Sequence, residues 1–268
     1  MPWRLLEENG RDIFRNLAIE EALARVNVES KKKMNTLRFW RTDSAVVLGR
    51  FQCLHKETNI RFCEAHKIAI ARRFTGGGTV YQDKGNLNFS ICADRREDYA
   101  KGTLPELYKS FVGCIAEALQ KIGVPAEFDE YRSCIRIDGK KITGTAGWIK
   151  QGIAFIHGTL LIDSNIDILL QCLDAPEKQP VYLREGRTRC MESKRDIVTT
   201  IHREVDSPPS VEEIKTAITN GIKEITRDIL ILKTLTMTEI QHSELLYQNR
   251  YSHANWNRGE LVPNKDLS

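Results

Sequence analysis

Apolar residues recur at positions 14, 17, 18, 22 and 26, the three-to-four spacing of a helix that buries one face, which predicts a helix over 13–26. A longer stripe at 107, 111, 114, 115, 118, 119 and 122 predicts a helix over 103–122. Thr103 and Glu106 form a capping box at its start, and Gly123 and Pro125 stop it. Ser210 and Glu213 open a further helix to about residue 227, apolar at 211, 214, 218, 222 and 225. Shorter helices are predicted over 58–66, 166–173 and 238–247. Segments 37–40, 45–48, 68–71, 86–92 and 152–162 read as strands. Residues 133–137, the Asp138-Gly139 pair and Lys140 onward read as a hairpin, because Asp-Gly favours a tight type I′ turn. Strands concentrated in the first 162 residues, with helices between and after them, predict an α+β fold. Its mixed or antiparallel sheet would carry helices on one face. Segment 176–195 is charged and unpatterned, and is expected to be a mobile surface segment.

Composition narrows the function classes. A chain of 268 residues with 41% hydrophobic content fits one large domain, with or without a small appendage. A net charge of +4 is a weak basic excess for a nucleic-acid binder, so none is expected. No run of 18 apolar residues predicts a membrane helix. Charged Glu7-Glu8 follows the N-terminus at once, so no secretory signal is read. Seven cysteines, at 53, 63, 92, 114, 134, 172 and 190, are odd in number and scattered. They are expected to be reduced thiols in a cytosolic protein, mostly small core residues. No two are spaced as zinc ligands, so no fixed metal site is expected.

The chemistry concentrates in Arg72-Arg73-Phe74-Thr75-Gly76-Gly77-Gly78-Thr79-Val80-Tyr81-Gln82-Asp83 and the following Lys84-Gly85-Asn86. Glycine lets a backbone take positive φ and lets a ligand approach its N–H groups closely. Successive N–H groups in such a turn form an anion-binding concavity, and two guanidiniums add planar donors for carboxylate or phosphate. A flexible loop beside a solvated charge pair is the plainer alternative, but predicted strands on both sides point to a shaped site. The stretch is neither a P-loop nor a Rossmann fingerprint. Two other segments carry site candidates. Gly139-Lys140-Lys141-Ile142-Thr143-Gly144-Thr145-Ala146-Gly147 sets a lysine beside small residues that leave room for a ligand. Ile156-His157-Gly158-Thr159-Leu160-Leu161 places a histidine in an apolar strand, where a core histidine is the commoner case.

These segments resemble the lipoate–protein ligase family, within the fold group it shares with biotin–protein ligases. Residues 72–86 meet the family's R-R-x-[ST]-G-G-G-x-V-[FY]-x-D-x-G-N segment. Its strand followed by Gly-Arg is met by 45–52, with Glu57 and Asn59 at family spacing. Residues 139–146 meet the G-[KR]-K-[IV]-[ST]-G-[ST]-A hairpin, and 157–161 the H-G-T-L-L strand. Weaker echoes are 16–21, Ser193-Lys194-Arg195 and Trp256-Asn257. Departures are Gln82 where the family often has histidine, Ile156 where a second histidine precedes His157, and Arg132-Ser133-Cys134 in place of an Arg-Asn-Asp.

The resemblance implies two-step chemistry: lipoate (or octanoate) and MgATP give an acyl-adenylate, then a carrier lysine is acylated. It assigns catalysis to Lys141 as a positive bridge between the carboxylate and the α-phosphate. Arg73, Gly76, Gly77, Gly78, Thr79, Val80 and Tyr81 would bind ATP and the adenylate. Arg72, Asp83, Asn86, Gly144, Ala146 and His157 would bind or support lipoate. Mg2+ would arrive with ATP. Implied partners are lipoyl domains of 2-oxoacid dehydrogenase acyltransferase subunits, the glycine cleavage H protein, and a separate accessory polypeptide. Residues 1–257 would form the catalytic domain and 258–268 a tail, with no C-terminal accessory domain, in the cytoplasm or an organellar matrix. The competing readings are an octanoyl- or lipoyl-transferase using a cysteine thioester or preformed lipoyl-AMP, a non-catalytic lipoyl- or nucleotide-binding regulator, and a biotin ligase. Cys134 is the nearest candidate for a transferase nucleophile.

Overall fold

The computed structural model describes residues 3–8, 10–183 and 190–262. A six-stranded mixed sheet runs in the order Thr143–Lys150, Ile153–Leu161, Asn86–Asp94, Thr36–Trp40, Trp3–Glu7, Leu230–Leu232. The first four strands are antiparallel neighbours, and the last two join in parallel. A smaller sheet, ordered Ala69–Arg72, Ala45–Leu48, Val80–Gln82, stands against it. Glu127–Asp129, Cys134–Ile137 and Lys140–Lys141 make a third.

Strand alternation decides which residues fill the core and which line a site. Leu37, Phe39, Leu87, Phe89 and Ile91 face the helices Leu104–Gln120 and Val211–Thr226, whose Phe111, Ile115, Ile214 and Ile218 are fully buried against them. Both helices begin with the expected capping boxes, each satisfying otherwise orphaned N–H groups. The intervening Asn86, Asn88, Ser90 and Cys92 fall on the opposite face of the same strand, and all are buried. That face is covered too. The helix Ile13–Glu29 puts Ala24 against Cys92 and Phe155, so helices pack on both faces of the sheet and not on one. Neighbouring strands with apolar residues on one face and small polar ones on the other look one-sided until the second layer is seen.

The hairpin over 134–141 forms as expected, with Asp138 at φ 48° and Gly139 at φ 71°, the left-handed pair of a tight turn. Trp3–Glu7 and Leu230–Leu232 were not anticipated, since their short runs are defined by long-range parallel pairing. The cysteine expectation needs correction: Cys53 and Cys190 form a disulfide across 137 residues, while Cys63, Cys92, Cys114, Cys134 and Cys172 are free and buried. Sequence spacing carries no sign of which distant thiols meet. The described parts of 176–195 are mostly irregular, as expected, but they are anchored. Tyr182–Leu183 pairs with Glu260–Leu261, and Gln179 hydrogen-bonds the carbonyls of His55 and Thr58. Polar anchors replace the apolar pattern that sequence reading seeks; 184–189 lie outside the described residues. Among the described residues no helix is long and apolar enough to cross a membrane.

Candidate active site

The glycine run leaves the strand Ala69–Arg72 and re-enters at Val80–Gln82, so both its ends are fixed by pairing to Ala45–Leu48. Arg73, 4% exposed, holds the run in shape. Its guanidinium donates to the Gly76, Gly78 and Val47 carbonyls at 2.7–3.1 Å and to Thr75 Oγ1 at 3.2 Å. Burial pulls its pKa down to about 10, which leaves it charged at neutral pH. Gly77 takes φ 85°, and a Cβ on Gly49 would stand 2.1 Å from the Gly77 carbonyl oxygen. Only glycine fits either position. Arg72 turns the other way, donating to the carbonyls of Gly49, Gln52 and Trp256, and so supports the loop from behind.

Ser193 closes the far side of the loop. Its Oγ accepts from the Thr79 N–H at 2.8 Å and from Gln52 Nε2 at 2.9 Å, and donates to Glu57. The Ser193 N–H donates to the same Glu57 carboxylate at 2.8 Å. The Cys53–Cys190 bond and a hydrogen bond from Met191 N to the Phe51 carbonyl fasten this segment to the 51–57 region. Beyond Ser193 the chain runs past Asp196, which Arg136 and Arg132 engage at 2.7 and 3.4 Å. It then reaches Lys141, whose backbone pairs with Ile197 and Thr199.

The glycine loop, the 190–199 segment and the hairpin border a cavity of about 490 Å³ lined by Thr79, Val80, Tyr81, Lys141, Thr143, Gly144, Thr159, Leu161, Ser193, Lys194, Arg195 and Asp196 among others. Lys141 is half-buried, and no described side chain is hydrogen-bonded or ion-paired to its Nζ. Burial lowers its pKa, while the neighbouring Cys134 and Asp196 oppose that shift. Lys140, one position earlier, points away to Glu204 at 2.9 Å. Burial pushes the Tyr81 phenol up to about 12, so its hydroxyl stays protonated where it reaches Ser44.

A narrower cavity of about 30 Å³ lies inward, walled by Leu17, Glu20, Trp40, Val47, Arg73, Gln82, Ala146 and His157. Val80, Gly144 and Thr159 line both cavities. Glu20 organises the inner end. Its carboxylate accepts from Trp40 Nε1 at 3.1 Å, from the Ser90 hydroxyl, and from His157 Nδ1 at 2.7 Å. Burial alone would raise the Glu20 carboxyl, but His157, Ser90 and Arg38 outweigh it and hold it below the usual range. His157 Nε2 is hydrogen-bonded to Thr75 Oγ1 at 2.8 Å. That bond ties the inner cavity to the glycine loop.

The structure thus brings Lys141, Thr79, Val80, Tyr81 and Gly144 to the outer cavity, and Arg73, Ala146 and His157 to the inner one. Asp83 and Asn86 are elsewhere. They build the turn between strands, with Asp83 accepting from Gly85 N and Asn165 N, and Asn86 bonding Thr159 and Ser164. Gly76 and Gly77 line neither cavity and act through loop shape. Sequence reading missed Trp40 as a wall residue and gave Glu20 and Ser193 only within faint echoes. Glu20 sits on a helix whose charge pattern reads as solvent-facing, and its burial depends on the sheet beneath it. Among the described residues no group of three or more His, Cys, Asp or Glu is placed to hold a metal ion.

The mixed sheet packed with helices is the fold of solved lipoate-protein ligases. Residues 12–223 match the lipoyl protein ligase A/B catalytic domain, and the chain belongs to that family. It is 29% identical over 266 residues to lipoate-protein ligase A subunit 1 of Thermoplasma acidophilum, covering 96% of each chain. It is also 26% identical to the octanoyltransferase LipM of Brevibacillus brevis, over 95% of this chain and 98% of that one. Among solved structures, a putative lipoate protein ligase from T. acidophilum with bound lipoic acid superposes with a TM-score of 0.82 at 26% identity, covering 97% of this chain and all of the other. Lipoate-protein ligase A bound with ATP gives a TM-score of 0.80 at 27% identity, over 97% and 99%. A bi-partite lipoate protein ligase, described with its E2 lipoyl domain from T. acidophilum, gives 0.82 at 28% identity, over 98% and 99%.

Proposed function

We propose that this chain is an AMP-forming lipoate–protein ligase. The observation that carries this reading is Lys141: a half-buried ammonium without a hydrogen-bonded or ion-paired partner among the described residues, in the outer cavity that adjoins the inner channel. An acid bound beside the glycine loop would present its carboxylate there, and a nucleotide in the outer cavity would present its α-phosphate. Two anions approach each other only where a fixed positive charge offsets their repulsion. The carboxylate oxygen bonds to the α-phosphorus, the α–β P–O bond breaks, and pyrophosphate leaves. In the second step a carrier lysine amine, having lost its proton, attacks the acyl carbon. The C–O bond to AMP breaks, and an amide forms. Thr79, Val80 and Tyr81 supply the loop edge against the nucleotide, Arg73 and Gly76–Gly78 its shape, and Lys194 and Arg195 further charge. Mg2+ would enter with the nucleotide phosphates, since among the described residues no cluster of three or more His, Cys, Asp or Glu is arranged for it.

The similarity to ATP-bound and lipoic acid-bound ligases supports this choice of substrates. Lipoyl domains of 2-oxoacid dehydrogenase acyltransferase subunits and the glycine cleavage H protein are the proposed carriers. A relative named as a subunit and a neighbour described as bi-partite support a separate accessory polypeptide. The transferase alternative requires an exposed thiolate nucleophile. All five free cysteines are buried, and burial pushes the Cys134 thiol up despite Lys141 nearby. Cys134→Ser is therefore expected to keep ATP-dependent lipoylation, with no acyl-thioester seen by intact mass under reducing conditions. Lipoate-dependent exchange of pyrophosphate into ATP, followed by carrier modification, tests the whole reading. Carrier acylation that proceeds without ATP through a protein thioester would replace it with the transferase.

A further inference from the structure

We propose that Cys53–Cys190 is a redox latch, opened by a small dithiol, that sets how tightly the outer cavity holds a nucleotide. The inference rests on the ligase reading above and concerns the segment 190–199, of which Ser193, Lys194, Arg195, Asp196 and Val198 line that cavity. The segment is held differently at its two ends. From Asp196 onward it is tied to the hairpin, by Arg132 and Arg136 and by backbone bonds between Lys141 and both Ile197 and Thr199. At the other end Cys190 is bonded covalently to Cys53, the residue after Gln52.

Between those ends little apolar packing holds the chain. Among the described residues, none from 190 to 197 joins an apolar cluster, and Met191, Glu192, Lys194 and Arg195 are exposed. The contacts there are polar: the Met191 N–H on the Phe51 carbonyl, and Ser193 with Gln52, Glu57 and Thr79. Segments with few buried apolar contacts open locally at low cost. The link to the nucleotide is Thr79, at the edge of the glycine loop. Gln52 Oε1 accepts from Thr79 Oγ1 and from the Gly49 N–H, each at 2.8 Å, and Ser193 Oγ accepts from the Thr79 N–H. Gln52 and Ser193 stand beside the two bonded cysteines in the chain, so the disulfide keeps both partners of Thr79 in place. Once it opens, only the fraction of molecules with 190–193 still seated presents the complete cavity.

Access decides how the bond breaks. Cys53 is 4% exposed and Cys190 is partly exposed, so an incoming thiolate meets the Cys190 sulfur first. Its attack forms a mixed disulfide with Cys190 and expels Cys53 as a thiolate. The second thiolate of the dithiol then attacks its own sulfur in that mixed disulfide, expelling Cys190 and leaving as a cyclic disulfide. Two electrons and two protons pass from the dithiol to the cysteine pair. The five free cysteines are all buried, which confines the exchange to this bond.

The test titrates the full chain with MgATP by calorimetry, oxidised and after dithiothreitol, below the melting midpoint of both forms. No acid is added, because a dithiol would also reduce lipoate. Reduction is expected to raise Kd about tenfold, as when the closed state falls to about a tenth of the population. Oxidised dithiothreitol should restore it. Cys53→Ser is expected to match the reduced protein and to ignore dithiothreitol. Trypsin reads the segment without any nucleotide: reduction should speed cleavage after Lys194 and Arg195, while melting stays cooperative at a lower midpoint. A Kd unchanged by reduction, or one that still responds in Cys53→Ser, overturns the proposal. So does a loss of binding accompanied by cleavage throughout the core, which would make the bond a brace for the whole fold. ATP binding in neither form, with faster cleavage after Lys194 and Arg195 on reduction, would instead remove the ligase reading and leave the latch standing. No binding and no change in cleavage would remove both.

Discussion

Lys141→Ala is expected to lower acid-dependent pyrophosphate–ATP exchange by a factor of about 100 to 1,000 while leaving the fold intact. The side chain is half-buried without a described ion-pair partner, so its removal breaks no structural contact of that kind. What is lost is a preorganised charge between two reacting anions, a contribution on the order of 3–4 kcal/mol when such groups are deleted elsewhere. Lys140→Ala is the control. That residue points to Glu204 on the other side of the hairpin, and exchange should stay within about twofold of wild type. Equal losses in the two variants would sink the assignment. The pH profile supplies a second check. Burial lowers the Lys141 pKa, so its charged form exists below that lowered value and is lost as pH rises through it. Exchange should therefore fall on the alkaline side before pH reaches the ordinary lysine value of about 10.4.

Gly49→Ala is expected to produce a folded protein with at least a hundredfold loss of exchange. A Cβ there would lie 2.1 Å from the Gly77 carbonyl oxygen and 3.1 Å from its carbonyl carbon. No side chain can swing aside, because the obstacle is backbone. The loop must move, and Arg73, which grips the Gly76 and Gly78 carbonyls, must move with it. Overpacking of this kind costs about 1–3 kcal/mol, a drop of roughly 3–10 °C in thermal midpoint for a domain of this size. The catalytic loss is larger, since a displacement near 1 Å at a reacting centre costs about a hundredfold. Normal exchange with a lowered midpoint would show that the loop acts only in folding.

Helices and their caps were legible because their causes are local. The capping boxes at Thr103–Glu106 and Ser210–Glu213, and the Asp138-Gly139 turn, need only neighbouring residues. The glycine loop and the lysine hairpin were legible as site candidates for a related reason. Backbone that must approach a ligand needs glycine, and a charge that must meet an anion needs lysine or arginine. What the residues alone left ambiguous was direction. Arg72 and Arg73 are adjacent and alike, yet one braces the loop from behind and the other shapes it from within. Asp83 and Asn86 belong to the same motif but hold a turn outside both cavities. Strand alternation turns neighbouring residues to opposite sides, and which side holds the site depends on what packs there.

The sequence by itself determined the class of fold, the turn and cap chemistry, the family, and the loop and lysine on which the proposed reaction depends. Tertiary structure decided the pairings between distant residues: Cys53 with Cys190, Ser193 with Thr79 and Glu57, and Glu20 with Trp40, Ser90 and His157. It also decided that Gln82 Oε1 and the Asn88 side-chain amide are buried without hydrogen-bond partners. The physical reason is that burial and partnership depend on which layers meet. A glutamate on a helix looks solvent-facing in a linear pattern, and becomes the lining of a site only when strands from both sheets pack around it.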